Sequence, residues 1–108
     1  MQILIVEDEE KIANFLRRGL MEESYAVDIA GDGEDALYKS EINEYDLIIL
    51  DLMIPKVDSI TVCWKIREIN INIPVLILTA KDATDDKGKT KRIELIENAI
   101  EQMPPFNC

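Results

Sequence analysis

Three short segments of this chain are continuous aliphatic runs, and their spacing restricts the fold more than any other feature. They read ILIV at 3–6, LIIL at 47–50 and VLIL at 75–78. Such runs are typical of strands that are buried on both faces, as in a parallel sheet covered by helices. A fourth segment, YAVDIA at 25–30, alternates more and places Asp28 outward, which predicts a more exposed edge strand.

Helical patterns lie between these segments, and strands that alternate with helices predict an α/β fold. We therefore expect an open, doubly wound parallel sheet with right-handed crossovers. The inward residues are predicted to be Ile12, Phe15, Leu16 and Gly19 in the first helix, Ala36, Leu37 and Ser40 in the second (about 33–43), and Ile60, Cys63, Ile66 and Arg67 in the third (about 59–69).

The last twenty residues follow a different pattern, in which apolar residues are spaced 3, 4 and 3 apart at Ile93, Ile96, Ile100 and Met103. This spacing predicts an amphipathic C-terminal helix, which Pro104 and Pro105 would end. No fifth aliphatic strand is visible, and RIELI at 92–96 is the one candidate. We expect one domain over 1–108, with strand–helix units over 1–87 and a divergent helical tail over 88–108 that replaces the fifth strand.

The charge balance limits the class of partner. The chain of 108 residues carries 22 acidic and 12 basic residues, a net charge of −10. Direct nucleic-acid binding by this segment would need a basic face, so we expect none. Most of these acids are explained by a solvated surface, and the rest are compatible with a bound cation or a basic partner.

Histidine is absent, which excludes histidine-based metal sites and Ser-His or Cys-His catalysis. Two cysteines, Cys63 and Cys108, lack metal-type spacing and favour a reducing compartment, with a disulfide between them as the alternative. The start MQILIV lacks the basic residues of a signal peptide, and no apolar run reaches the length of about 20 residues that a membrane span needs. We expect a cytoplasmic protein without a membrane segment.

Acidic and hydroxyl side chains follow the predicted buried strands. Glu7 and Asp8 come after the first strand, Asp51 after the third and Thr79 after the fourth. In a strand order of 2-1-3-4 the first and third strands are neighbours at the switch point, where open α/β sheets bind ligands. Three converging carboxylates repel one another and favour a hard cation, for which Mg²⁺ is the best match. The alternative is that each acid is a loop residue, a helix cap or part of an acidic first turn.

Four stretches carry a resemblance to a known family: ILIVEDEEKIANFLRRGL, YAVDIAGDGEDAL, YDLIILDLMIPKVDS and PVLILTAKDATDD. Together they cover residues 1 to about 87 in the expected order. The sequence resembles the flavodoxin-like receiver domain of two-component response regulators, most closely the winged-helix, OmpR-type subfamily that regulates transcription.

The resemblance implies a role for five positions. Asp51 would accept a phosphoryl group from a sensor histidine kinase and act as a switch, without the turnover of an enzyme. Asp8 would bind Mg²⁺ directly, Glu7 would act through a bound water, and the backbone carbonyl of Met53 would complete the metal shell. The Thr79 hydroxyl would contact the phosphoryl group.

The chain also departs from the family pattern. Its end reads QMPPF, so that Pro104 stands where the family has a lysine that contacts the phosphoryl group, and Ser59 replaces a usual glycine. One alternative is therefore a degenerate receiver that acts as a phosphorylation-independent interaction or dimerisation module. Without a fifth strand, the fourth strand would be a sheet edge that invites a homodimer, through that edge or the C-terminal helix.

A frameshifted tail and a hydrolase activity are both disfavoured. A frameshift could account for the tail, but its regular apolar spacing argues against this. A phosphatase-type hydrolase on the same fold would need a second nucleophile or a general base, and neither is visible in the sequence.

Overall fold

Four parallel strands form the sheet of the computed structural model, which describes residues 1–51, 54–69 and 73–78. The strands are β1 (Gln2–Val6), β2 (Ala26–Ala30), β3 (Leu47–Asp51) and β4 (Val75–Leu78). Their order in the sheet is β2-β1-β3-β4. The predicted α/β class, the parallel sheet and the order 2-1-3-4 are confirmed.

The two central strands are the most buried. All five residues of β3 are buried, as are the last four residues of β1, whereas β2 at the edge is mostly half-buried. Pairing of β1 with β3 runs from Ile3 opposite Leu47 to Val6 opposite Leu50. Aliphatic residues on both faces of these strands leave no polar side to turn toward water, and this places them at the centre of the sheet.

Three helices connect the strands: α1 (Glu10–Glu22), α2 (Gly33–Ile42) and α3 (Ser59–Ile69). They divide the core into two clusters. One cluster contains α1 residues Ile12, Leu16 and Leu20, and the other contains side chains of α2 and α3 on the opposite face of the sheet. This is the doubly wound arrangement that the alternating pattern predicts. In the described part of the chain, no helix is both long and apolar enough for a membrane span.

The inward face of α3 differs from the prediction at one position. Ile60 is 60% exposed, and Val62 is fully buried in its place. The buried stripe begins at Ser59 and continues through Val62, Cys63 and Ile66, which is regular i, i+3, i+4, i+7 spacing. Hydrophobicity alone predicts that Ile60 faces inward, but the buried face of the helix begins one residue earlier, at Ser59.

The other two helices match their predicted faces with small changes. In α1, Ala13 and Leu20 are buried although neither was predicted, while Phe15 and Gly19 are half-buried. In α2, Ala36 and Ser40 are buried, and Leu37 packs partly buried against the core. Arg67 of α3 lies at the border of the core, where its guanidinium donates a hydrogen bond to the Ile73 carbonyl.

Several expectations concern residues outside the described ranges. These are the helical tail over 88–108, the RIELI alternative, the replacement of a fifth strand, and the disulfide alternative, since Cys108 belongs to the tail. They stay predictions, as does a homodimer through the edge of β4 or the tail helix.

Candidate functional site

Three carboxylates meet at the carboxyl ends of the two central strands. Glu7 and Asp8 directly follow β1, and Asp51 is the last residue of β3. One carboxylate oxygen from each lies within 4.8 Å of the others. The structure thus brings together the acids that sequence reasoning placed at the switch point, and it does so because β1 and β3 are paired neighbours.

The backbone after β1 holds Glu7 in place. Its N–H donates to the Ala30 carbonyl at the end of β2 over 3.0 Å, which extends the β1–β2 pairing by one residue. Its side-chain Oε2 accepts a hydrogen bond from the Glu9 N–H at 3.2 Å, just before α1 begins. Glu7 is only 5% exposed, whereas Asp8 is exposed, so the pair presents one buried and one solvated acid.

Asp51 is also 5% exposed, and its main-chain oxygen and its side-chain Oδ1 differ in their hydrogen bonding. Its main-chain oxygen accepts a hydrogen bond from the Ser59 hydroxyl at 2.5 Å. Its side-chain Oδ1, in contrast, is buried and has no hydrogen-bond partner among the described residues. A buried carboxylate oxygen without a partner costs free energy, and a bound cation is one of the few ways to compensate it.

The electrostatics of the site favour uptake of positive charge. Burial raises the pKa of Glu7 to about 7, helped by a hydrogen bond with Asp51 and by repulsion from the Asp51 carboxylate, while the Glu9 N–H opposes the shift. Clustered acids shift in this way when ionisation of one disfavours ionisation of the next. Either a proton or a cation relieves the repulsion.

The donor set of this cluster suits Mg²⁺. All three side chains offer hard oxygen ligands, and Oδ1 of Asp51 has no hydrogen bond to lose within the ranges that the structure describes. Magnesium prefers one or two carboxylates together with retained waters, and the exposure of Asp8 leaves space for water. The residues present therefore fit the cation that the sequence predicted.

Two residues of the expected site lie outside the described ranges. Thr79, with its hydroxyl, directly follows β4, and Met53, with its backbone carbonyl, lies two residues after Asp51. Their predicted roles stay predictions.

The loop after Asp51 is attached to the start of α2, a contact that sequence reasoning did not predict. The Gly33 N–H donates to the Pro55 carbonyl at 3.2 Å, and Lys56 Nζ lies 3.4 Å from Asp32 Oδ2. Lys56 has a positive φ of 71°, so the chain turns sharply here. The sequence contains a local signal for the start of α2, because Asp32 lies three residues before Asp35, which is the spacing of an N-cap. In the structure, Asp32 Oδ1 accepts a hydrogen bond from the Asp35 N–H at 2.8 Å.

The same loop ends in a capped helix. Asp58 Oδ1 accepts from the Thr61 N–H at 3.0 Å, and Asp58 Oδ2 accepts from the Thr61 hydroxyl at 2.9 Å. These hydrogen bonds hold the pKa of Asp58 below its ordinary value. Asp58 therefore caps the N-terminus of α3, and this fixes the end of the loop that follows Asp51.

The parallel strand order β2-β1-β3-β4 of the described residues, with a carboxylate cluster at its switch point, agrees with the fold of a receiver domain. Residues 3–97 match the family model described as the response regulator receiver domain. The chain belongs to the family of response regulator receiver domains.

Two relatives show the same relationship over 86 residues, or 80% of this chain. The alkaline phosphatase synthesis transcriptional regulatory protein PhoP of Bacillus subtilis is 48% identical, and the response regulator ArlR of Staphylococcus aureus is 50% identical. The matched segment is 36% of the first relative and 39% of the second. The chain thus spans less than half the length of these relatives.

Solved structures agree with the fold. The response regulator TrrA of Thermotoga maritima, in complex with Mg²⁺-BeF, has a TM-score of 0.77 at 31% identity and covers 93% of this chain and 96% of its own. The non-phosphorylated HemR receiver domain of Leptospira biflexa has a TM-score of 0.80 at 23% identity and covers 97% of this chain and 98% of its own. The second likeness supports the fold alone.

Proposed function

We propose that this receiver domain accepts a phosphoryl group on Asp51 from a sensor histidine kinase and so acts as a switch in a cytoplasmic two-component system. The observation that carries the proposal is the buried Oδ1 of Asp51, which has no hydrogen-bond partner in the described part of the chain and belongs to a carboxylate whose oxygens lie within 4.8 Å of two further acids. A carboxylate oxygen without hydrogen bonds is free to form a bond or to bind a cation. The raised pKa of the neighbouring Glu7 indicates that this cluster favours added positive charge.

In the proposed reaction, a carboxylate oxygen of Asp51 attacks phosphorus while the bond from phosphorus to the histidine nitrogen breaks. The electron pair of that bond leaves with the imidazole, and the product is an aspartyl phosphate. One acceptor takes one phosphoryl group, so the domain is a stoichiometric acceptor and not a turnover enzyme.

The residues of this chain supply position and charge. We propose that Asp8 and Asp51 bind Mg²⁺ directly, that Glu7 contacts it through a water, and that the Met53 carbonyl completes the set. Bound Mg²⁺ would supply positive charge to the phosphoryl oxygens. The Thr79 hydroxyl is proposed to donate a hydrogen bond to the same group.

The names of the relatives suggest the wider role. One is called a transcriptional regulatory protein and the other a response regulator. We propose that this domain controls transcription through phosphorylation. Its net charge of −10 argues against direct nucleic-acid contact by this segment.

The experiment is phosphorylation by a small donor. The protein is incubated with acetyl phosphate and Mg²⁺, and its intact mass is measured. We expect the mass of one added phosphoryl group on the wild type, loss of that adduct when Mg²⁺ is chelated, and no adduct on Asp51→Asn. Asp46→Asn is the matched control, because Asp46 lies just before β3 while Asp51 ends it, and it should be labelled like the wild type.

The alternative of a degenerate receiver rests on the departures from the family pattern, chiefly the divergent tail with Pro104 at the position of the usual lysine. A folded wild-type protein that gains no adduct from acetyl phosphate would contradict the acceptor proposal and support this alternative.

A further inference from the structure

Ser59 joins the end of β3 to the start of α3 through one hydrogen bond. The side chain is 2% exposed, and its hydroxyl donates to the main-chain oxygen of Asp51 at 2.5 Å. The two residues are eight positions apart, on either side of the loop that follows the acceptor.

Asp51 lies just beyond the end of the pairing between the two central strands. Pairing between β1 and β3 ends at Val6 and Leu50, one residue before Asp51. In the register, Asp51 is opposite Leu78 of β4 on its other side. The Ser59 hydrogen bond therefore restrains Asp51 at the point where pairing to β1 has stopped.

We propose that Ser59 is a positioning residue for phosphoryl transfer to Asp51. By holding the Asp51 main-chain oxygen, the hydroxyl restrains the backbone from which the Asp51 side chain reaches toward Glu7 and Asp8. In-line attack requires the nucleophile within a few tenths of an ångström of its productive position, and small displacements are costly. The inference rests on the proposed acceptor function.

The position of Ser59 within α3 supports this role. Asp58 caps the helix through Thr61, so the first turn of α3 has a cap of its own in addition to the hydrogen bond from Ser59 to Asp51. Ser59 also begins the buried stripe that continues through Val62 and Ile66. The packed helix thus holds Ser59 in place, and the Ser59 hydroxyl connects the helix to the Asp51 main chain.

The test compares three variants by the rate of adduct formation from acetyl phosphate at saturating Mg²⁺ and donor. Ser59→Ala removes the hydroxyl, and Ser59→Thr keeps it. Thr61→Val is the matched control, because it removes another hydroxyl hydrogen bond from the same helical turn, one that is made to Asp58 and not to Asp51. Urea unfolding of each variant shows that it is folded under the assay conditions.

We expect Ser59→Ala to lower the maximal rate constant by about fivefold or more, from the usual net strength of one hydrogen bond, with Thr61→Val within about twofold of the wild type. Ser59→Thr should retain most of the wild-type rate. An unchanged rate in Ser59→Ala overturns the inference. An equal loss of rate in Thr61→Val also overturns the inference. A Ser59→Thr variant that is as slow as Ser59→Ala overturns it as well. A wild type that is never labelled overturns this inference and the acceptor function together, whereas a labelled wild type with an equally fast Ser59→Ala overturns the inference alone.

Discussion

Glu7 should make the metal-free protein less stable as the pH rises from about 4.5 toward 7. Its pKa is raised from an ordinary value of 4.5 to about 7 in the folded protein, first by burial and then by its hydrogen bond with Asp51. Between these values the folded state keeps a proton that the unfolded chain has released. The stabilisation is therefore fully present below pH 4.5 and is lost as the pH rises through 7.

The pKa difference sets the size of the effect. At about 1.4 kcal/mol per pKa unit, the loss across this interval is on the order of 3 kcal/mol, a large part of the usual stability of a small domain. Glu7→Gln replaces the carboxyl by an amide that does not ionise, so this contribution to the pH dependence disappears. Glu22→Gln is the matched control, because Glu22 is an exposed residue at the end of α1.

The assay is urea unfolding followed by circular dichroism at a series of pH values, first with a chelator and then with Mg²⁺. We expect the free energy of unfolding of the chelated wild type to fall relative to Glu7→Gln as the pH rises, and Glu22→Gln to follow the wild type. Added Mg²⁺ should restore stability most near pH 7 because a cation favours the ionised carboxylates. Equal pH slopes for the wild type and Glu7→Gln would refute the reasoning.

Two further changes test the packing around the site. Gly33→Ala should lower the free energy of unfolding by about 1–3 kcal/mol, because an added Cβ would collide with the Val57 main-chain oxygen and lie 2.8 Å from Val57 Cβ, and this overpacking outweighs the better helix propensity of alanine. Gly31→Ala is its control in urea unfolding, since nothing lies within 4 Å of a Cβ there; equal stability of the two variants would contradict this account. Tyr45→Phe should cost about 1–2 kcal/mol in the same measurement, because the Tyr45 hydroxyl donates to Asp28 Oδ2 at 2.7 Å. A variant as stable as the wild type would show that this hydrogen bond contributes nothing net.

The strands were predictable because each depends on a short local pattern. The run VLIL at 75–78 coincides with β4, and LIIL at 47–50 differs from β3 only by the addition of Asp51. The third helix was also predicted with its observed bounds, Ser59–Ile69. Its inward face was partly wrong at Ile60, because a pattern of apolar residues does not show which side of a helix the sheet will cover.

The contacts that hold the loop after the acceptor could not be predicted in the same way. The ion pair between Asp32 and Lys56 and the hydrogen bond from Gly33 to Pro55 join segments that are distant in the chain. No local periodicity encodes them, since they form only after α2 and α3 pack on the same face of the sheet. The sequence shows that Ser59 departs from the family pattern, but it does not indicate that the Ser59 hydroxyl bonds to the Asp51 main-chain oxygen.

The sequence by itself determined the order of strands and helices, and it identified Glu7, Asp8 and Asp51 as the acids at the ends of buried strands. Periodicity and burial of aliphatic runs act over a few residues, so they can be read from a single chain. Only the tertiary structure decided that Asp51 Oδ1 lacks a hydrogen-bond partner among the described residues, that the pKa of Glu7 is raised and that Ser59 contacts Asp51. These properties depend on which groups are buried next to one another and shielded from water, and segments that are distant in the chain must pack together before this is determined.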